Sequence, residues 1–142
     1  MTHDLFSNFQ SRGLVHQSTD PDALRQWLAS GSRRVYAGFD PTADSLHVGH
    51  LVALMLLRRV AAAGHEPVAL VGGATGMIGD PSGRSEERNL LSPAELAANV
   101  AGVERQIRAI LETTGQTVHV VNNADWMRGV GYLEFLRDVG KH

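Results

Sequence analysis

Apolar positions along the chain switch between short continuous runs and longer helical periodicities. The short runs predict three strands, at 34–39, 67–71 and 117–121. Helical spacing predicts helices at about 6–13, 21–30, 46–63, 93–113 and 130–139. The alternation of strands with long helices predicts a βαβαβ unit with a parallel sheet and right-handed crossovers. We therefore expect an α/β, Rossmann-like fold with helices on both faces of the sheet.

Capping chemistry marks where two of these helices begin. Asp20 followed by Pro21 places a capping carboxylate before a proline at the first helical position. Ser92 and Glu95 have the spacing of a capping box, with Pro93 between them at the first helical position. These two starts are therefore predicted more sharply than the other helix boundaries.

The loops that follow the predicted strands hold the unusual residues. Residues 72–85 contain five glycines and one proline, and this stretch is longer than an ordinary connection. Ligand sites in open parallel sheets lie at the carboxyl ends of the strands. We therefore expect a functional loop after Val71, and a site near the ends of the strands at Phe39 and Val121.

Composition narrows the class of protein. The chain has 142 residues, 43% hydrophobic and 20% charged, which suits one soluble globular domain. A net charge of −2 does not require a basic face on the protein, so any contact with nucleic acid must involve a small part of the surface. The absence of cysteine excludes disulfides and thiolate metal sites and is compatible with the cytoplasmic location that we expect. The apolar run 51–57 is far shorter than a membrane span of about 20 residues, so no membrane partner is expected.

The segment His47-Val48-Gly49-His50 carries the clearest candidate chemistry. It opens a predicted helix, where free amide groups and the helix dipole favour anions. Two histidines three residues apart share a helical face and would add donors for a polyphosphate. Gly49 leaves room for a base or ribose to approach the backbone. The alternatives are a pair of surface histidines that cap the helix or, less well supported because no third ligand is evident nearby, a zinc site.

The longer segment around these histidines, YAGFDPTADSLHVGH at residues 36–50, closely resembles the ATP-binding signature of class I aminoacyl-tRNA synthetases in its tyrosyl-specific form. Three further segments resemble the same family in the same order: GGATGMIGDPSG, NNADW and FLRDVGKH. The four follow one another in the family's order up to the last residue, so the resemblance covers essentially the whole chain. The resemblance implies that residues 1–142 form the N-terminal portion of a nucleotide-binding catalytic domain, an incomplete half of a class I synthetase domain.

The resemblance also implies a two-step reaction. The carboxylate of L-tyrosine attacks the α-phosphorus of ATP, pyrophosphate leaves, and tyrosyl-adenylate then acylates the 3′ end of tRNA(Tyr). Positioning and electrostatic stabilisation suffice for such chemistry, so no nucleophile–base pair is required. ATP is expected as a substrate together with Mg²⁺, no protein-bound metal is expected, and the full-length protein is expected to be a homodimer.

Residue roles follow only where this sequence matches the family motif. Tyr36 would hydrogen-bond the phenol hydroxyl of tyrosine, and Asp80 would bind its α-ammonium group. Gly38, Asp40 and Gly49 would lie against ATP or the adenylate. As structural alternatives, Tyr36 is an ordinary half-buried strand residue and Asp80 a plain turn residue.

The remaining roles concern the phosphates. Thr42 and His47 would contact the γ-phosphate, and His50 would line the ATP site. Arg84 and Arg88 would be mobile cations for pyrophosphate, unless they form a solvated charge cluster with the neighbouring glutamates.

Other residues are expected to be structural. Asn122, Asn123 and Asp125 would shape a turn, with Trp126 in the core. The apolar residues between 51 and 60 would also be core.

The chain ends at His142, before the lysine-rich loop and the second half of the amino-acid pocket that the family carries. We therefore expect little or no aminoacylation from this chain alone. Two other classes stay open: a non-catalytic module that binds nucleotide or tyrosine, and a different nucleotidylyltransferase with an HxGH motif. The second would bind ATP without preferring tyrosine over phenylalanine.

Overall fold

The computed structural model describes residues 4–78, 91–115 and 117–140. Its strands are β1 (Arg34–Phe39), β2 (Glu66–Val71) and β3 (His119–Asn122). Its helices are α1 (Leu5–Ser11), α2 (Pro21–Ala29), α3 (Val48–Ala62), α4 (Thr75–Ile78), α5 (Pro93–Leu111), α6 (Ala124–Met127) and α7 (Tyr132–Asp138). A short 3-10 turn, Glu112–Thr114, continues α5. Among the described residues, no helix combines the length and apolar character needed to cross a membrane.

The three strands form one parallel sheet in the order β1-β2-β3. In its register Gly38 lies beside Leu70, and Leu70 lies beside Val121. Because α3 connects β1 to β2 and α5 leads from β2 towards β3, the predicted α/β class and βαβαβ order are confirmed.

The expectation of helices on both faces of the sheet is not met in the described part of the chain. Both long helices pack on one face, where Phe39 and Val71 of the sheet are buried with Leu54 of α3 and Ile107 of α5. The strand order advances in one direction, and right-handed crossovers then place successive helices on the same face. The opposite face exposes Tyr36 of β1.

Both predicted helix starts are confirmed. The Asp20 carboxylate accepts a hydrogen bond from the Ala23 amide at 2.9 Å. At the start of α5 the Ser92 hydroxyl accepts from the Glu95 amide at 3.2 Å, while the Glu95 carboxylate accepts from the Ser92 amide at 2.8 Å. These bonds satisfy amide groups that have no partner within the helix.

A smaller apolar cluster attaches α1 and α2 to the main body. Leu5 and Phe6 of α1 and Leu28 of α2 are buried against Val60 of α3. The Arg25 guanidinium lies over the Phe6 ring, 5.4 Å from its centroid. The N-terminal helices therefore pack on the same side of the sheet as α3.

Two expectations about α3 need correction. It begins at Val48 rather than near residue 46, because His47 is its N-cap with an extended backbone. Its apolar residues are only partly core: Leu54, Leu57 and Val60 are buried, but Leu51 is 43% and Val52 is 55% exposed. A helix that rests on a sheet buries one stripe, so apolar residues outside that stripe face outwards.

The substitution Ile107→Ala tests how much the packing of α5 against the sheet stabilises the fold. Ile107 is fully buried between α5 and the sheet, so Ile107→Ala removes contacts and leaves a cavity. We expect the free energy of unfolding to fall by about 2–5 kcal/mol in chemical denaturation. The exposed neighbour Arg105, changed to alanine, is the control and should change stability by less than about 0.5 kcal/mol. Equal effects of the two changes would contradict this packing.

Candidate functional site

The site residues expected from the sequence that the structure describes gather around the carboxyl end of β1. Tyr36 and Gly38 lie on the open face of the strand, as the alternation along β1 requires. Asp40 and Thr42 lie in the loop that follows, and its backbone turns where the Thr42 amide donates to the Asp40 carbonyl at 2.9 Å. The loop leads into the histidines at the start of α3. Further residues expected to belong to the site lie outside the described residues: Asp80, Arg84 and Arg88.

His47 and His50 form a reciprocal capping box at the start of α3. The Nδ1 atom of His47 accepts from the Gly49 amide at 3.0 Å, and the Nδ1 atom of His50 accepts from the His47 amide at 3.3 Å. The two rings are stacked, with centroids 3.8 Å apart. The expected proximity of the histidines is therefore confirmed, and so is the capping role weighed as its alternative.

Capping leaves the histidines able to bind an anion. A neutral imidazole whose Nδ1 atom accepts a hydrogen bond carries its proton on Nε2. Both rings thus keep an Nε2–H donor, next to the positive end of the α3 dipole. Capping and phosphate binding are compatible uses of the same two side chains.

The surroundings of His50 favour its neutral form. Burial lowers the pKa of the His50 imidazole, nearby His47 lowers it further, and the Asp40 carboxylate opposes both effects. The ring also packs near Phe39 of β1, with centroids 6.1 Å apart. His50 is therefore an uncharged hydrogen-bonding group near neutral pH.

The loop after β1 packs closely against the turn after β2. A side chain added at Gly72 would lie 2.7 Å from the Asp40 Oδ1 atom, and one added at Gly76 would lie 3.4 Å from the Pro41 Cγ atom. Pro41 itself is fully buried. The glycines of the predicted functional loop thus let the two loops approach one another. That loop also contains the short helix α4, which the sequence did not predict.

Asn123, just after β3, holds this turn in place, and its neighbour Asn122 shapes the turn that follows β3. The Asn123 Oδ1 atom accepts from the Ala74 amide at 2.6 Å, and its Nδ2 group donates to the Thr75 hydroxyl at 3.2 Å. The Asn122 Oδ1 atom accepts from the Ala124 amide at 3.0 Å. The expected structural role of these asparagines is confirmed.

Trp126 departs from its expected place in the core. It is 52% exposed, because it lies on the four-residue helix α6 at the edge of the open sheet face. There it helps to line a shallow cavity of about 280 Å³. The other lining residues are Arg34, Tyr36, Val68, Leu70 and Val121.

Tyr36 is 71% exposed in this cavity, so the alternative of an ordinary half-buried strand residue is not what the structure shows. The zinc alternative finds no third ligand among the described residues. Sequence reasoning also missed Asn99 and Gln106 of α5, whose side chains bind the backbone of the loop after β1. The only feature of the sequence that could have indicated this role is that two side-chain amides lie seven residues apart, on a helix whose other face is apolar and buried.

Comparison with known proteins agrees with this geometry. The family model described as "tRNA synthetases class I (W and Y)" matches residues 29–142. Because that match covers most of the chain, the chain belongs to this family of class I tRNA synthetases.

Individual relatives narrow the similarity to the tyrosyl members. The chain is 56% identical to the tyrosine–tRNA ligase of Rhodopirellula baltica over 142 residues, covering 99% of this chain and 32% of that protein. It is 52% identical to the enzyme of Opitutus terrae over 140 residues, covering 97% and 33% respectively. The resemblance to the tyrosyl type is thereby confirmed. The chain spans about a third of the length of the curated relatives it matches.

Solved structures give the same answer. The fold superimposes on a C-terminally truncated mitochondrial tyrosyl-tRNA synthetase of Aspergillus nidulans with a TM-score of 0.83 and 32% sequence identity. That match covers 99% of this chain and 43% of the other. A corresponding protein of Coccidioides posadasii matches with a TM-score of 0.80 and 28% identity, over 98% of this chain and 40% of the other.

The lowered pKa of His50 predicts that the stability of the chain depends on pH. The pKa of His50 is lowered in the folded chain, so its stabilising contribution is complete above the ordinary histidine value of about 6.5 and is lost as the pH falls through the folded pKa. We expect unfolding free energies measured from pH 7.5 to 5 to decline less steeply in His50→Gln than in the unaltered chain. Glutamine keeps the capping acceptor but does not titrate.

The pKa of the buried His65 is also lowered, by burial and then by Arg33, but this contribution is common to both proteins. Identical pH slopes for the unaltered chain and His50→Gln would show that the capping box does not depend on a neutral His50.

Proposed function

We propose that this chain forms the nucleotide-binding part of a tyrosine–tRNA ligase, which activates L-tyrosine with ATP and transfers it to the 3′ end of tRNA(Tyr). One observation carries the proposal: Tyr36 and Gly38 lie on the open face of β1, and Asp40, Thr42 and the two capping histidines follow where that strand ends. The 56% identity to a named tyrosine–tRNA ligase supports tyrosine rather than another amino acid.

The tyrosine side of the site would be the open cavity beside β1. Val68, Leu70 and Val121 give it apolar walls suited to an aromatic ring. The Tyr36 hydroxyl would hydrogen-bond the phenol of the substrate. A site built to meet that hydroxyl rejects phenylalanine because its own polar group is then left unpaired, an effect for which enzymes of this kind are the known example.

The nucleotide side would continue along the same strand end. A side chain added at Gly38 would meet nothing within 4 Å, so the backbone there is open to a ligand. Asp40 would lie beside the adenylate. At Gly49 the absent side chain makes room for the capping His47 ring, since an added one would lie 2.8 Å from the His47 Cε1 atom.

Phosphate binding would fall to the start of α3. Thr42 would offer its hydroxyl, and His47 and His50 their Nε2–H donors, to the phosphate oxygens as the tyrosine carboxylate attacks the α-phosphorus. Such fixed donors stabilise developing charge without a covalent enzyme intermediate.

The remaining roles rest on the resemblance alone. Asp80 would bind the α-ammonium group of tyrosine, and Arg84 and Arg88 would bind pyrophosphate. Mg²⁺ would accompany ATP as part of the substrate. Residues 1–142 would belong to the N-terminal portion of the catalytic domain of a cytoplasmic, homodimeric protein.

Selectivity for tyrosine is the first test of the proposal. In calorimetric titrations of this chain, we expect a non-hydrolysable tyrosyl-adenylate analogue to bind up to about tenfold more tightly than its phenylalanyl counterpart, because one hydrogen bond of ordinary net strength distinguishes them. Tyr36→Phe should abolish most of that preference. Tyr132→Phe, at an exposed position on α7, is the matched control and should preserve it.

Two results would go against the proposal. Equal affinity for both analogues would indicate a nucleotide-binding module that does not select tyrosine. A folded chain that binds neither analogue would show that these residues do not form a binding site.

Gly38→Ala separates binding from folding. The added methyl group meets no protein atom within 4 Å, and alanine suits a strand better than glycine. We expect unchanged or slightly higher thermal stability together with weaker binding of the tyrosyl-adenylate analogue, since the methyl group occupies space assigned to the ligand. Unchanged affinity in calorimetry would place the ligand elsewhere.

A further inference from the structure

Three positions on α5 contact the backbone of the loop at residues 40–47. The Asn99 side-chain amide donates to the Pro41 carbonyl at 3.2 Å. Gly102 lies so close to the Asp44 carbonyl that an added side chain would overlap it. Gln106 binds the same stretch of loop, as detailed below. The spacing of 99, 102 and 106 places all three positions on one helical face.

Both the Nε2 group and the Oε1 atom of the Gln106 side chain form hydrogen bonds with the loop backbone. Its Nε2 group donates to the Asp44 carbonyl at 3.1 Å and to the Gly102 carbonyl at 3.2 Å. Its Oε1 atom accepts from the Leu46 amide at 3.1 Å. Glutamine can donate and accept at once, whereas glutamate at neutral pH only accepts and methionine offers neither strong group.

The helix that carries these side chains is fixed in the core. Val103 and Ile107, neighbours of Gly102 and Gln106 in the sequence, are fully buried against α3 and the sheet. The loop is therefore attached to a rigid support rather than only to the strand before it and the helix after it.

The position of this attachment matters because of what the loop carries. Leu46 immediately precedes His47, whose own amide and side chain form the capping box. Fixing the Leu46 amide thus fixes the direction from which the chain enters α3. At the other end, Asn99 holds Pro41 between Asp40 and Thr42.

We propose that Gln106, with Asn99 and Gly102, is a positioning element that sets the geometry of the nucleotide-binding loop. Gln106 itself would touch no ligand. It acts through the peptide groups of Asp44 and Leu46, and thereby through His47 and His50. The inference rests on the proposed function, since it assigns the loop to ATP and the adenylate.

The experiment compares Gln106→Met, Gln106→Glu and the exposed control Arg105→Met in this chain. Amide hydrogen exchange reports whether Leu46 is held, and calorimetry with the non-hydrolysable tyrosyl-adenylate analogue reports the consequence for binding. Both are measured well below the unfolding temperature, where a purely structural loss of stability does not change the folded population.

We expect Gln106→Met to speed exchange at the Leu46 amide and to weaken analogue binding, each by about tenfold, as the loss of hydrogen bonds of ordinary net strength predicts. Gln106→Glu keeps the acceptor for Leu46 but loses the donor to Asp44. It should therefore restore slow exchange at Leu46 and regain part of the affinity. Arg105→Met should match the unaltered chain in both measurements.

Unchanged exchange at Leu46 in Gln106→Met would overturn the proposal, and so would faster exchange with unchanged affinity. If Gln106→Met does not fold, Gln106→Glu decides. Affinity equal to that of the unaltered chain, despite the lost donor to Asp44, then overturns the proposal, and reduced affinity with Leu46 still protected supports it. A folded, unaltered chain that binds no analogue contradicts the proposed function itself, and the positioning role then falls with it.

Discussion

The packing of α3 and α5 side by side on one face of the sheet is the constraint on which the other features depend. Phe39 and Val71 from the strands meet Leu54 and Ile107 from the helices in one buried cluster. Apolar burial of this kind is the main stabilising term in folding. Because the cluster reaches Phe39, the last residue of β1, it determines where the next loop begins. It also brings α5 within hydrogen-bonding distance of that loop.

The start of α3 shows how one pair of side chains serves structure and chemistry together. Each histidine uses Nδ1 to cap the helix, and the same bond keeps a proton on Nε2. Burial of His50 keeps its ring uncharged near neutral pH. At the start of α3, His50 therefore offers a hydrogen-bond donor rather than a positive charge beside the helix dipole.

The features that were predicted correctly depend on residues close to one another in the sequence. β1 was predicted residue for residue, because Val35, Tyr36 and Phe39 favour extended structure and Asp40-Pro41 ends it. The helix starts at Asp20 and Ser92 were predicted because capping depends on residues only three apart. The signature segment likewise placed Tyr36 on β1, with Asp40 and the histidines just beyond the end of that strand.

The missed features depend on contacts between distant segments. The order of the strands in the sheet places α3 and α5 on the same face. The spacing of apolar residues along the chain carries no information about that order. Helices of four residues, such as the one carrying Trp126, are too short to show a helical period. The amide contacts of Gln106 join residues 60 and 62 positions apart, so no motif contains both partners. At Asn122 and Asn123 the sequence predicted a turn, but not that it would hold the loop after β2.

NMR titration of the labelled chain with a non-hydrolysable tyrosyl-adenylate analogue would show directly where the ligand binds. We predict that the largest amide shifts fall at Gly38, Asp40, Thr42 and the first turn of α3, with smaller ones along Val68–Leu70. Shifts confined to the outward apolar residues of α3, such as Val52 and Met55, would place the ligand on a different surface and contradict this prediction.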